Sequence, residues 1–253
     1  MPKQNEFRCC VCGFTLVELS IVLIIVALIV GGMMVSLGAQ RDIADANETQ
    51  KRLNEIRDAL IGFTVANGRL PCPASPNTTG LEKPDTGVGP CANPYDGFVP
   101  AITLGITPTN ENGYAVDSWG NPIRYAVTEA TAYAFTTTNG IKSNWSTGFA
   151  STFLYVCSTA AGAKNLGLPT ATCDTSPDTA LSRTAVAVIF STGKNGGIEP
   201  TNSDELANWP TLTSGTKDPV FVSHTPNNSF DDIVVWLSPN ILYNRMISAG
   251  KLP

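Results

Sequence analysis

Residues 13–30 read GFTLVELSIVLIIVALIV, and this apolar run decides how the rest of the chain is organised. No charged residue occurs from Leu19 to Ala39, a length close to the ~20 apolar residues that a helix needs to cross a bilayer. Many of these residues are β-branched, but a backbone in lipid must satisfy its own hydrogen bonds, so the run is predicted to be helical. Glu18 stands out, because a carboxylate at the centre of a membrane helix costs roughly 2.5–3.5 kcal/mol and usually has a partner or a function.

The residues on either side of the Gly13–Phe14 peptide bond resemble the processing site of type IV prepilins and type II secretion pseudopilins. They combine a short polar leader, a glycine, an aromatic residue and a lone acid that precedes an uninterrupted apolar run. The resemblance implies that prepilin peptidase removes residues 1–13 and that the new N-terminal residue, Phe14, becomes methylated. An ordinary signal anchor with Glu18 near the positive end of the helix dipole is the alternative, but it does not account for Gly13 and Phe14.

The same resemblance implies a mechanism of assembly rather than of catalysis. Residues 14–39 would form the hydrophobic core of a filament, and Glu18 would meet the α-amine of Phe14 in a neighbouring subunit. The expected partners are other pilin subunits, prepilin peptidase, an inner-membrane assembly platform and the membrane itself. The choice among a pilus, a secretion pseudopilus and a competence apparatus stays open, as does the choice between a major and a minor subunit.

Composition and charge distribution place the bulk of the chain outside the cytoplasm. Charged residues make up only 15% of the sequence, while glycine and proline are frequent at 22 and 18 residues, which is typical of a loop-rich β domain. Lys3 and Arg8 lie in the leader. We therefore expect a single-pass bacterial inner-membrane protein with a cytoplasmic N-terminus and a periplasmic C-terminus, which then enters a filament in the periplasm or at the cell surface. The net charge of −5 leaves no electrostatic footprint for nucleic acid, and no such partner is expected.

Residues 40–68 are predicted to continue the helix as an amphipathic segment. The apolar residues recur at spacings of three and four, as on one face of a helix that lies against a domain. The members of this pattern are Ile43, Ala46, Leu53, Ile56, Leu60 and Phe63. Asn67-Gly68 is a typical C-terminal stop, and Pro71 cannot continue the helix.

Residues 69–253 are predicted to form one extracytoplasmic, β-rich globular domain. A connection rich in glycine, proline and asparagine runs to about Pro100, and short β-like runs follow it. These runs are 123–127, 133–135, 153–157, 185–190 and 233–237, with a short helix at 241–249. The fold class is therefore α+β and, by the resemblance, pilin-like: a long N-terminal helix, membrane-spanning in its first half, packed on a mostly antiparallel β-sheet.

The seven cysteines fall into two groups. Cys9, Cys10 and Cys12 lie in the leader, and Cys72, Cys91, Cys157 and Cys173 lie in the exported part. Four cysteines in an oxidising compartment predict two disulfides, for which three pairings exist. Pairing each cysteine with its nearest neighbour would close two local loops, each of which would stabilise the fold by about 3 kcal/mol.

Two glycine-containing motifs lie in the domain. Residues 117–122, Asp-Ser-Trp-Gly-Asn-Pro, resemble a segment of major pseudopilins, and their residue types predict a structural turn that leads into a strand. Residues 191–197, Ser-Thr-Gly-Lys-Asn-Gly-Gly, lack the spacing of a phosphate-binding loop. By their position they resemble the Gly-rich loop of major pseudopilins, where calcium can bind.

Calcium in the loop 191–205 is the one cofactor that the sequence suggests, against the alternative of turns and solvated acids. Calcium takes roughly six to eight oxygen ligands. The oxygen-bearing residues here are Asn195, Glu199, Asn202, Ser203, Asp204 and Glu205, and Asp231 and Asp232 precede the last predicted strand. Their spacing assigns no ligands, so the prediction names only the loop.

Catalysis is not expected of this chain. His224 is its only histidine, and no Gly-x-Ser-x-Gly motif accompanies it. The sequence therefore predicts a structural filament subunit without catalytic residues. Two alternatives stay open: a minor pilin or adhesin whose exposed loops bind a surface ligand, and a membrane-anchored periplasmic hydrolase with a pilin-like anchor.

Overall fold

The computed structural model describes residues 13–76, 79–149, 153–164, 171–174, 179–197, 203–208, 218–227 and 229–253, apart from the side chains of residues 32–37 and 39. The leader cysteines Cys9, Cys10 and Cys12 therefore lie outside the described residues. The chain divides into two compact units, Met1–Ala44 and Asp45–Pro253. All the strands that the structure describes belong to the second unit.

Helix α1 (Leu16–Asn67) is 52 residues long, as the apolar run and the amphipathic pattern after it predict. It ends where Gly68 adopts a left-handed φ of 71° and donates its N–H to the Thr64 carbonyl at 2.8 Å, which confirms the predicted stop. Among the residues that the structure describes, no helix has the combined length and apolar character of a membrane span. The predicted membrane crossing at residues 14–39 is thus not confirmed; the side chains of this run are described up to Gly31 and again only at Gly38.

The predicted apolar face of residues 40–68 is confirmed within the second unit. Leu53, Ile56 and Leu60 are each exposed by 2% or less and belong to the main core. Ile43, by contrast, is 63% exposed. Ile43 belongs to the first unit, so the confirmed part of the predicted face is the part within the second unit.

The remaining elements are short. Helices α2–α6 are Ala101–Leu104, Ala130–Tyr133, Gly140–Asn144, Ser203–Asn208 and Pro239–Ser248, and a 3₁₀ turn occupies Ala160–Gly162. Strands β1–β9 are Gly97–Phe98, Arg124–Val127, Leu154–Cys157, Ala163–Lys164, Thr172–Cys173, Ala180–Ala185, Ala187–Ser191, Val220–Val222 and Ile233–Leu237.

Two sheets form the body of the second unit. The first has the strand order β1-β2-β7-β9 and is antiparallel throughout. The second has the order β6-β3-β8, in which β3 and β8 are parallel. Strands β4 and β5 form a separate antiparallel ribbon. The predicted α+β class with mostly antiparallel sheets is therefore confirmed.

The first sheet is buried on both faces because it lies between two layers. One face carries Tyr125 and Ile189, which share a core cluster with Leu60 of α1. The opposite face carries Val188, which shares a second cluster with Phe221 of the other sheet. All residues of β7 are buried, as expected of a central strand that is covered on both sides.

Two strand predictions were wrong. The predicted run 185–190 is divided, because β6 ends at Ala185 and β7 begins at Ala187, so the chain passes from one sheet to the other at Val186. The predicted run 133–135 is not a strand. Thr131, Ala132 and Tyr133 take left-handed φ angles of 53°, 49° and 66°, which are incompatible with extended pairing.

Both disulfides join nearest neighbours, and this finding decides among the three pairings. Cys72 is bonded to Cys91, and Cys157 is bonded to Cys173. The first disulfide closes the connection that follows α1, and the second ties the end of β3 to β5. Both local loops that nearest-neighbour pairing predicts are therefore present.

The connection after α1 is a packed part of the domain. Arg69 and Glu82 form a buried ion pair in which Nη1 and Nη2 donate to Oε2 and Oε1 at 2.7 and 2.8 Å. The Cys72 N–H also donates to Glu82 Oε2, at 3.0 Å. A bidentate pair of this kind fixes orientation as well as distance, so it holds this connection beside the disulfide.

Candidate assembly motif and candidate metal centre

The first turn of α1 is closed by a reciprocal capping box between Thr15 and Glu18. The Thr15 N–H and hydroxyl donate to Glu18 Oε2 at 3.1 and 3.0 Å, and the Glu18 N–H donates to Thr15 Oγ1 at 3.3 Å. This arrangement satisfies two N–H groups that the start of a helix otherwise leaves without partners. Glu18 therefore has a structural role within its own chain.

The predicted processing site comes just before this turn. Phe14 is 89% exposed, and a Cβ atom added at Gly13 would meet no atom of the described residues within 4 Å. The Gly13–Phe14 peptide bond is therefore open to another protein. The predicted pairing of Glu18 with the Phe14 amine of a neighbour is intermolecular, so it stays a prediction.

The apolar side chains after Glu18 are exposed on every side of the helix. The exposed fraction lies between 48% and 72% for Leu19, Ile21–Val26 and Leu28–Val30. Successive residues turn by about 100° around a helix, so these positions cover all of its faces. A helix that is apolar all round is normally buried in protein or lipid, so surroundings of either kind suit these side chains.

Three carboxylates meet where α5 approaches the start of β9. Glu205 lies on α5, and Asp231 and Asp232 directly precede β9. One oxygen from each carboxylate lies within 4.8 Å of the other two. Glu205 and Asp232 are only 2% and 3% exposed, and Asp231 is partly buried. We refer to these three residues as the acidic cluster.

Hydrogen bonds hold the aspartates of the acidic cluster in place. Asn208 Nδ2 donates to Asp232 Oδ2 at 2.8 Å, and Asn208 is itself bonded to the backbone of Val222. The Asn195 N–H donates to Asp231 Oδ2 at 3.0 Å. The other oxygen, Asp231 Oδ1, is buried and has no hydrogen-bond partner in the described part of the chain. A buried polar atom without a partner is costly, and an oxygen-seeking cation would satisfy this one.

Electrostatics in the acidic cluster favour a bound positive charge. Burial, with smaller contributions from the carboxylates of Glu205 and Asp231, raises the pKa of Asp232 to about 8, although the Asn208 hydrogen bond lowers it. Buried carboxylates this close together cannot all be ionised without a compensating charge. The acidic cluster therefore suits either a proton or a cation at neutral pH.

Of the three residues in the acidic cluster, Glu205 lies in the predicted calcium loop 191–205, and Asp231 and Asp232 lie outside that loop. Asn195 supplies its N–H, whereas its side-chain oxygen accepts from the Gly197 N–H at 2.9 Å. Asp204 caps the 3₁₀ turn through the Ala160 N–H, at 2.6 Å. Two other oxygen-bearing residues of that loop, Glu199 and Asn202, lie outside the described residues.

The 117–122 motif builds a turn that supports the 191–197 loop. Asp117 Oδ1 accepts N–H groups within the turn at 3.0 and 2.8 Å, and Oδ2 accepts the Ser191 hydroxyl at 2.6 Å. Asn121 Nδ2 donates to the Gly193 carbonyl at 2.7 Å. The structural role predicted for this motif is therefore confirmed.

His224 is engaged in structural contacts. Its Nε2 lies 3.3 Å from Asp204 Oδ2, and its ring stacks on Phe230 with the centroids 3.9 Å apart. Its Nδ1 lies 2.9 Å from the Thr225 carbonyl. In the part of the chain that the structure describes, the imidazole has no serine or threonine hydroxyl partner of the kind that a Ser–His pair needs.

Residues 8–34 match the family described as Prokaryotic N-terminal methylation motif, the signature of type IV pilins and pseudopilins. No curated protein and no solved structure matches the chain. The match covers the predicted processing site, Glu18 and most of the apolar run. It confirms the resemblance that the sequence around Gly13 indicates.

Proposed function

We propose that this chain is a structural subunit of a type IV pilus or a type II secretion pseudopilus. Prepilin peptidase cleaves after Gly13, Phe14 becomes the N-methylated N-terminus, and the mature subunits polymerise through α1 on an inner-membrane assembly platform. The N-terminal methylation motif at residues 8–34 is the observation that carries the proposal. The role is mechanical, and no catalytic step is assigned to the chain.

The exposed apolar part of α1 supports polymerisation. Each large apolar side chain from Leu19 to Val30 keeps about half or more of its surface exposed. Burial of such surface yields roughly 25 cal/mol per Å², so lipid and neighbouring helices are both favourable surroundings. We propose lipid before assembly, with the N-terminus in the cytoplasm and the domain in the periplasm, and packed helices of other subunits afterwards.

Glu18 serves two roles in this proposal. The capping box engages Oε2, which leaves Oε1 for a second partner. After cleavage the α-amine of Phe14 is positively charged, and a charge-assisted hydrogen bond is stronger in apolar surroundings than in water. We infer that Oε1 accepts from the Phe14 amine of a neighbouring subunit and that this pair sets the register of the filament.

Mass spectrometry of the chain co-expressed with prepilin peptidase tests the processing step. The wild type is expected to yield a singly methylated product of 240 residues, the 253 of the precursor less the 13 of the leader. Gly13→Ala is expected to stay unprocessed. Its added Cβ meets no atom of the described residues within 4 Å, so a clash within that part of the chain would not explain the loss.

Gly62→Ala is the matched control, because a Cβ at that glycine also meets no atom within 4 Å in the described part of the chain. It is expected to be processed and methylated like the wild type. A normal mature mass for Gly13→Ala, or an uncleaved wild type, would contradict the proposal.

We further propose that the acidic cluster binds calcium. Glu205, Asp231 and Asp232 would supply carboxylate oxygens, which are ligands that calcium prefers, and backbone carbonyls and water would complete its roughly six to eight ligands. Bound calcium would neutralise the like charges of the acidic cluster. Because the Asn195 N–H contacts Asp231, the site would join α5, the start of β9 and the turn after β7.

A further inference from the structure

An open groove lies beside the C-terminal helix α6, and none of its residues belongs to the acidic cluster or to the N-terminal motif. Its volume is about 420 Å³, within the roughly 300–1,000 Å³ of small-molecule sites. Its lining residues carry no formal charge. They are Trp145, Asn240, Tyr243, Asn244, Ile247 and Ser248.

The periodicity of α6 explains why these residues share one face. Ser238 caps the helix by accepting the Asn240 N–H at 3.3 Å. Leu242 and Met246 are buried in the core. Positions 240, 243, 244, 247 and 248 recur at spacings of three and four, so they line the side of the helix that borders the groove.

Two partly exposed aromatic rings shape the groove. Trp145 and Tyr243 lie with their centroids 5.0 Å apart and their planes at 79°. Behind them Phe149 stacks on Tyr243 at 5.7 Å, and the fully buried Phe135 stacks on it at 6.4 Å. This packing holds the rings in place and leaves amphipathic aromatic surface towards the groove.

The polar groups of the groove are available to a ligand. In the described part of the chain, no hydrogen bond involves the Trp145 indole N–H, the Tyr243 hydroxyl or the Asn240 side chain. Asn244 Oδ1 accepts the Ser248 hydroxyl at 3.4 Å, and the amide NH₂ of Asn244 has no hydrogen-bond partner among the described residues. Indole, phenol and amide groups together offer donors and acceptors without any charge.

We propose that this groove binds a neutral oligosaccharide. A sugar ring presents a C–H face that can stack on Trp145 or Tyr243, and its hydroxyls both donate and accept, as asparagine amides do. An acidic glycan would call for a cation among the lining residues, and the lining has none. A purely apolar ligand would desolvate the amide and hydroxyl groups without giving them partners. The proposal rests neither on polymerisation nor on calcium.

Binding is measured with the full chain in a zwitterionic detergent, because detergents with sugar headgroups would compete. The probes are neutral tetrasaccharides of glucose, galactose, mannose or N-acetylglucosamine, with a uronic-acid tetrasaccharide as the charged comparison. We expect at least one neutral probe to bind with a Kd of about 1 mM or tighter and to change the tryptophan fluorescence. The uronic-acid probe is expected not to bind.

Three groove variants test the location of the site. Trp145→Ala is expected to weaken binding by about tenfold or more. Tyr243→Phe keeps the ring packing, and Asn244→Ala leaves the buried face of α6 unchanged. Each variant removes one hydrogen-bonding group, so each is expected to lower the affinity for the oligosaccharide about two- to tenfold. Asn54→Ala is the matched control, because within the described residues that amide bonds only the Gln50 carbonyl on α1, at 2.8 Å.

Four results would overturn the proposal. These are the absence of binding by every neutral probe at millimolar concentration, binding of the uronic-acid probe alone, and unchanged affinity in both Tyr243→Phe and Asn244→Ala. The fourth is a change in the self-association of the full chain in those two variants, since it would assign the groove to a second copy of the protein.

Discussion

The two parts of helix α1 differ in what covers their apolar side chains. In the second unit Leu53, Ile56 and Leu60 are 0–2% exposed, whereas the large apolar residues from Leu19 to Val30 are 48–72% exposed. The part in the second unit carries its buried apolar residues on one face and contributes them to the core of the domain. The other is apolar on every face and must be covered from outside. The stability of the domain is thus encoded within one chain, while that of the N-terminal segment depends on its surroundings.

Truncation of one apolar residue in each part of α1 tests whether the two parts depend on different surroundings. Leu60→Ala is expected to lower the free energy of unfolding of the domain by about 2–5 kcal/mol, because it leaves a cavity in a packed core. Ile24→Ala is expected to change it by less than about 0.5 kcal/mol. Urea unfolding of the full chain in detergent micelles measures both values. Equal losses of unfolding free energy in Leu60→Ala and Ile24→Ala would show that the two parts of α1 do not differ in this way.

Removal of a disulfide is expected to destabilise the domain without affecting the N-terminal segment. The Cys157–Cys173 bond spans 16 residues, and the double variant Cys157→Ser/Cys173→Ser is expected to lose about 3 kcal/mol of stability. Thermal unfolding of the full chain measures this loss, and cleavage after Gly13 should proceed as in the wild type. Peptide mapping that finds free thiols at these positions in the wild type would refute the premise.

Calcium addition is expected to give the smallest of the three effects. At a calcium concentration of about 100 times Kd, a single site would stabilise the domain by roughly 2.7 kcal/mol, so Tm should rise relative to the same sample in EDTA. Asp231→Asn should abolish most of the rise. Asp58→Asn, at an acid whose side chain is 69% exposed, should leave it unchanged. An unaltered Tm in millimolar calcium, or a full response in Asp231→Asn, would exclude the acidic cluster as the site.

Local features of the fold could be predicted from the sequence. The helix stop at Gly68 depends on a residue that tolerates a left-handed conformation, and the nearest-neighbour disulfides close loops of only 19 and 16 residues. The first turn of α1 could also be recognised, because Thr15 and Glu18 have the spacing of a capping box. In each case the residues that decide the structure lie close together in the chain.

Features that depend on distant contacts could not be predicted. No turn residue marks the change of sheet at Val186, and the left-handed backbone at Thr131–Tyr133 occurs at residues that normally avoid it. The acidic cluster joins Glu205 to Asp231 across 26 residues, through a hydrogen bond from the Asp231 N–H to Glu205 Oε1. The spacing of these acids in the sequence indicates acids in both places but not that they meet, because it is the packing of α5 against β8 that brings Glu205 beside the residues before β9.

Replacement of Glu18 by glutamine separates intersubunit pairing from helix capping. Glutamine preserves the capping box but removes the negative charge, whereas Glu18→Ala removes both. The measurement is the fraction of processed subunit recovered in sheared filaments or, for a pseudopilus, in cross-linked multimers. We predict that Glu18→Gln is cleaved and methylated normally yet is recovered in filaments as poorly as Glu18→Ala. Suppose instead that Glu18→Gln is recovered in filaments as well as the wild type, whereas Glu18→Ala is recovered poorly. This result would contradict pairing between subunits, since Glu18 would then act only as a helix cap.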